Sequence, residues 1–161
     1  MPIPVVARSE RTLALRCPAD AAFAFVSDID ATARLFPLLE EIGRASAYDE
    51  GTAQAWITRL RPQGPGPFSV QPVYVSRYLV EPAERRLTWA PVPETGNARV
   101  SGLCVVEPDG SGCRVQLAVQ METEVPAPAF AAGAVRRAVQ LGFDAAVAVH
   151  AGRIAAHLDA K

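Results

Sequence analysis

The sequence predicts an α+β fold in which a curved antiparallel sheet of about seven strands wraps around one long C-terminal helix, with two short helices after strand 1. Three observations carry this. Cys113–Thr123 alternates strictly: Val115, Leu117, Val119 and Met121 face one way, and Arg114, Gln116, Gln120 and Glu122 the other. From Glu40 to Val125 the chain is punctuated by glycine and proline at Gly51, Gly64-Pro65-Gly66-Pro67, Pro82, Pro91-Pro93-Gly96-Asn97 and Pro108-Asp109-Gly110. After Pro126 and Pro128 the chain turns alanine-rich, from Ala129 to Ala160, and holds no further proline.

The elements follow in order. Arg11–Cys17 reads as a half-buried strand, with Leu13, Leu15 and Cys17 on one face, and Pro18 ends it. P-A-D-A-A-F-A-F-V-S-D is a short helix with proline at its start. Ser27, Asp28 and Asp30 are cap candidates for a second, A-T-A-R-L-F, stopped by Pro37. Strands are predicted at Ile42–Tyr48, Thr52–Arg61, Phe68–Glu81, Arg86–Ala90, Arg99–Glu107 and Cys113–Thr123, joined as a meander by short turns. The stretch R-P-Q-G-P-G-P-F lies between two strands and so is a connection, or the rim of a pocket, and not a domain boundary. Ala129–Ala160 would extend on the order of 45 Å as one helix. Such a helix needs a sheet to bury its apolar stripe, and the sheet needs a cover.

Composition narrows the function. A chain of 161 residues predicts one domain over 1–161 with a real core. A net charge of -1 offers no footprint for a polyanion, so nucleic acid is not an expected partner. No run is long and apolar enough for a transmembrane span, and the start, MPIPVVARSE, has neither the basic nor the apolar region of a signal peptide. Cys17, Cys104 and Cys113 are odd in number and widely spaced, which fits neither a disulfide framework nor a zinc motif. A cytoplasmic location is the resulting expectation.

Catalytic motifs are absent: no G-x-S-x-G, P-loop, H-E-x-x-H or strand-to-helix G-x-G-x-x-G occurs. Glu40 and Glu41 are adjacent just before a strand, where side chains diverge, so they make a poor acid–base pair. The only histidines, His150 and His157, lie roughly 20° apart on the long helix. They share the stripe of Val135, Val139, Phe143, Ala146 and Ile154, with no carboxylate beside them. No metal site and no cofactor are expected. His150 is a polar group on an apolar face, partnered by protein or by ligand.

The sheet leaves one question open. In Phe68–Glu81, Val73, Val75, Arg77 and Leu79 share one face, and Tyr74, Ser76, Tyr78 and Val80 the other. If the first faces inward, Arg77 is a charge in an apolar cavity and calls for an anionic partner. If the second does, two phenols line it. Trp56 and Trp89 are core residues or ligand contacts. Gly133, Gly142 and Gly152 thin the long helix, for close packing or for a ligand.

The stretch P-A-D-A-A-F-A-F-V-S-D followed by L-F-P, and the segment T-G-N-A-R-V-S-G at Thr95–Gly102, resemble the START/Bet v 1-like (SRPBCC) superfamily, in its bacterial polyketide cyclase/dehydrase and lipid-transport branch. The order of elements matches over nearly the whole chain. The resemblance implies the helix-grip fold, with a cavity between sheet and C-terminal helix that holds a hydrophobic or amphipathic small molecule such as a lipid, quinone or polyketide. The candidate lining residues are Trp56, Tyr74, Arg77, Tyr78, Trp89, Val139, Phe143 and His150. A polyketide cyclase/aromatase-type enzyme is the alternative, and a co-chaperone-like interaction module the second. Stable membrane insertion is not expected, and the oligomeric state is left open.

Overall fold

The computed structural model of the chain describes residues 2–159. Seven strands form one antiparallel sheet: β1 (Pro2–Leu15), β2 (Leu39–Arg44), β3 (Gln54–Leu60), β4 (Val73–Glu81), β5 (Arg86–Pro91), β6 (Ala98–Asp109) and β7 (Gly112–Pro126). Two short helices, α1 (Ala19–Val26) and α2 (Ile29–Ala33), follow β1, and α3 (Ala132–Asp159) ends the described chain. The strand order is β1-β7-β6-β5-β4-β3-β2, a meander whose first strand crosses to pair with the last. This is the helix-grip arrangement that the sequence predicts.

Local chemistry sets the short helices. Asp28 caps α2, its Oδ1 accepting from the Ala31 N–H at 3.2 Å, a contact worth about 1 kcal/mol. Ser27 closes α1 by donating its hydroxyl to the Phe23 carbonyl oxygen at 2.7 Å. α2 starts at Ile29, two residues ahead of the predicted start.

β1 is longer than the alternation at Arg11–Cys17 implies. It begins at Pro2 and runs against β7 from Pro2↔Pro126 to Leu15↔Cys113. Two prolines hide it from a sequence reading. Proline is tolerated here because β1 is an edge strand, where a missing N–H costs no ladder bond. The open edge is covered by α3: the Arg8 N–H donates to Gln140 Oε1 at 2.9 Å, Gln140 Nε2 donates to the Arg8 carbonyl oxygen at 2.7 Å, and Arg136 Nε donates to that of Pro4 at 3.2 Å.

Three other boundaries move. β2 lies at Leu39–Arg44, and Ser46–Tyr48 is a single 3-10 turn instead of the strand's end. Phe68–Pro72 belongs to the proline-rich connection, so β4 starts at Val73. A 3-10 turn at Ala129–Ala131 precedes α3, and the predicted helix end at Ala160 lies outside the described residues.

The core sits between the inner face of the sheet and α3. Val135, Val139, Phe143 and Val147 of α3 are buried against Ile3, Val5 and Ala7 of β1 and Val115 and Met121 of β7. The N-terminal half of α3 rests directly on β1. Farther along, α1 packs against β6, β7 and α3, α2 packs against β2, and a gap lies among these helices, the sheet and α3. No helix among the described residues is long and apolar enough to cross a membrane.

Candidate functional site

The gap is a cavity that leaves about 130 Å³ to the centres of water molecules. At roughly 10–15 Å³ per water on that measure, it has room for on the order of ten waters. Its floor is the inner sheet face, including Thr58 and Leu60 of β3, Tyr74 and Tyr78 of β4 and Leu87 and Trp89 of β5. Phe143, Val147, His150 and Ile154 of α3 form one wall, and Val26, Ile29, Ala33 and Phe36 close the other side. Among the described residues, none that lines it is Asp, Glu, Lys or Arg.

The register settles which face of β4 points inward. Tyr74 stands opposite Thr58 across β3, and Tyr78 opposite Trp89 across β5. Tyr78 and Trp89 stack, with ring centroids 5.6 Å apart and planes at 23°. Ser76, between the tyrosines, is fully buried and donates to the Val100 carbonyl oxygen at 2.8 Å. Trp89 is seated by Gly102, its partner on β6. A Cβ at Gly102 would come within 2.2 Å of Trp89 Cζ2, so glycine gives the indole its place on the cavity wall.

Of the eight candidate residues, Tyr74, Tyr78, Trp89, Phe143 and His150 line the cavity and three do not. Arg77 lies on the outer face, where Nε donates to the Tyr48 carbonyl oxygen at 2.6 Å and Nη1 stands 3.7 Å from Glu50 Oε2. Solvent and these partners keep the guanidinium paired, which an apolar interior would not. Trp56 shares the inner parity but lies off the cavity, under the Arg44 guanidinium at 5.6 Å. Val139 is buried one turn before Phe143, where α3 rests on β1 and leaves no gap. Thr58, Phe36 and Cys104 also line the cavity and were not singled out by sequence. Thr58 shares strand parity with Trp56, and Phe36 stands in the L-F-P stretch; those were the available signals.

The polar groups of the wall are uncharged. Burial pushes the Tyr74 phenol up to about 12, against a smaller opposing pull from the Thr58 hydroxyl. The Thr58 hydroxyl is buried and forms no hydrogen bond of good geometry, so we read it as a near neighbour of Tyr74 and not as its partner. Burial also raises Tyr78, reinforced by Tyr74. His150 is lowered to about 4 by burial, with the Leu35 carbonyl pulling the other way and Arg153 adding to the drop. Its Nδ1 is buried without a partner. Burial takes the Cys104 thiol up to about 12, far from a reactive thiolate. His157 stacks on Phe25 at 4.1 Å, and no metal-holding group of three or more His, Cys, Asp or Glu occurs among the described residues.

The family model described as "polyketide cyclase / dehydrase and lipid transport" matches residues 6–151. The chain belongs to this family. Solved structures with the family's fold include a Thermus thermophilus protein, TTHA0849, at 17% identity and TM-score 0.64, covering 94% of this chain and 98% of that one. The Zhui aromatase/cyclase from Streptomyces sp. R1128 is similar at 20% identity and TM-score 0.54, covering 92% and 86%. A START superfamily protein from Mycobacterium smegmatis is similar at 16% identity and TM-score 0.58, covering 91% and 96%. At these identities the similarity is one of fold. No curated protein matches the chain. Family and fold together support a ligand-binding or polyketide cyclase-type module.

Proposed function

We propose that the protein binds or carries a hydrophobic or amphipathic small molecule in the cavity between sheet and α3. The observation that carries this is the wall itself: aromatic and aliphatic side chains with a few uncharged polar groups, the composition of small-molecule sites. Binding is favoured over catalysis by the protonation states. An efficient acid or base has a pKa near the working pH. His150, lowered to about 4, is a weak base, and a Tyr74 phenol at about 12 is a weak acid.

The test is native mass spectrometry of the purified protein, followed by thermal melting with lipids, quinones and aromatic ligands. A ligand at a hundred times its Kd stabilises by about 2.7 kcal/mol, which raises Tm by several degrees in a chain of this size. No bound molecule and no shift with any class would end this reading. The cyclase reading is supported by the convergence of Tyr74, Tyr78 and His150 on one cavity and by the aromatase/cyclase among the similar structures. It requires that the protein turn over a poly-β-ketone and that Tyr78→Phe and His150→Phe each abolish product.

A further inference from the structure

The cavity wall has room for a polar ligand but nothing to balance a charge. Its polar members are Thr32, Thr58, Tyr74, Tyr78 and His150, and among the described residues none of its side chains is a carboxylate, ammonium or guanidinium. The cation whose field is felt at His150 is Arg153. That guanidinium is exposed, lies outside the wall, and is held by the Leu35 carbonyl oxygen at 3.1 Å. An ion brought into this space would lose its hydration and meet no opposite charge, which is strongly unfavourable. The same groups cannot adapt by ionising, because burial holds both phenols protonated and the imidazole neutral.

A wholly apolar ligand would also leave something unmatched. Among the described residues none hydrogen-bonds the Tyr78 phenol, whose ring stacks on Trp89. Tyr74, 8% exposed, has only the Thr58 hydroxyl beside it, and that hydroxyl, on a residue 3% exposed, is itself unpartnered. Thr58, Tyr74 and Tyr78 therefore bring three hydroxyls to the cavity floor with hydrogen-bonding capacity unused. The liquid volume of on the order of ten waters, ~300 Å³, accommodates a skeleton of two or three fused rings. Trp89, Tyr78, Phe36 and Phe143 supply aromatic rings to its lining.

Resting on the small-molecule reading above, we infer that the site selects by charge: it takes an uncharged ring compound bearing a hydroxyl or carbonyl oxygen, seats that oxygen at Tyr74 and Tyr78, and rejects the anion of the same skeleton.

Matched probes test this at pH 7: 2-naphthol, naphthalene and 2-naphthoate, titrated by fluorescence against wild type and Tyr78→Phe. 2-Naphthol binds about tenfold or more tighter than 2-naphthoate, because the carboxylate has no counter-charge. Tyr78→Phe weakens 2-naphthol by about threefold to tenfold, the range of one net hydrogen bond, and leaves naphthalene unchanged. Thermal melting confirms that the variant is folded, and Tyr74→Phe serves in its place if it is not. Equal or tighter binding of 2-naphthoate overturns selection by charge while leaving the small-molecule reading intact. Equal losses of 2-naphthol and naphthalene in the variant overturn the role of the phenol. Failure of all three probes overturns the inference, and the lipid and quinone melts then decide the broader reading separately.

Discussion

His150 on α3 meets Phe36 edge to face, with ring centroids 5.4 Å apart and planes at 87°. The contact joins the long helix to the segment after α2 that closes the cavity. It also shuts water away from the imidazole, and burial lowers the group from 6.5 to about 4. Between these values the unfolded chain takes up a proton that the folded chain refuses. Stability is therefore fully present above pH 6.5 and falls as pH drops towards 4, by on the order of 3 kcal/mol over that interval. Urea denaturation at pH 7 and pH 4.5 checks the slope. His150→Phe removes this group's share of it, and an unchanged slope would show that the imidazole titrates normally in the folded chain.

Gly102→Ala places a methyl carbon 2.2 Å from Trp89 Cζ2 and 2.7 Å from the Ala118 carbonyl oxygen. Trp89 has to leave its seat. The expected cost is about 1–3 kcal/mol, as for other overpacked sites, with a shift in tryptophan emission and weaker ligand binding. A variant with wild-type stability and emission would refute the seating of Trp89 on Gly102.

Asp144 ties α3 to β1 through two donors: Ser9 Oγ at 2.5 Å and Arg11 Nη2 at 3.0 Å. Ser9 is 4% exposed, so Asp144→Ala strands a buried hydroxyl. The loss is about 1–3 kcal/mol by chemical denaturation. Adding Ser9→Ala to Asp144→Ala recovers part of it, because the stranded group goes too. Strict additivity of the two substitutions would argue against the contact.

Arg77→Ala removes an ion pair in which Glu50 is 78% exposed on its side chain. Pairs of this kind contribute less than about 1 kcal/mol. Stability falls slightly, and the affinity of any cavity ligand is unchanged within error. A large loss of binding would place Arg77 at the ligand after all.

Much of this architecture is legible in the sequence, for identifiable reasons. β7 and α3 are long elements with a single strong pattern, and pattern carries through to structure. The faces of β4 are different. Val73, Val75, Arg77 and Leu79 are no more polar as a set than Tyr74, Ser76, Tyr78 and Val80. What decides between them is long-range: the turn at Tyr48–Glu50 folds over the outer face and offers Arg77 a carbonyl and a carboxylate. Local periodicity has no access to such a partner. The first half of β1 is missed for the opposite reason. Pro2 and Pro4 give this stretch no strand signal, and only the position of β1 at the edge of the sheet makes them harmless. At the candidate site, parity places Tyr74 with Tyr78 and Leu87 with Trp89; only the register brings the two pairs together. Parity cannot show that Phe143 lines the cavity while Val139, one turn earlier on α3, does not.

The pairing of β1 with β7 has a consequence for how the fold is assembled. Pro2 lies opposite Pro126 and Leu15 opposite Cys113, so of the seven strands the first to be synthesised waits for the last. The six strands from β2 to β7 can form successively as neighbouring hairpins. β1 cannot join until they are complete, and α3 cannot cover the edge until β1 is in place. Contacts of such separation are slow to form, and an unpaired apolar strand emerging from a ribosome is exposed to other chains in the meantime. Pro2 and Pro4, which offer no N–H to a stray partner, protect the strand that waits longest.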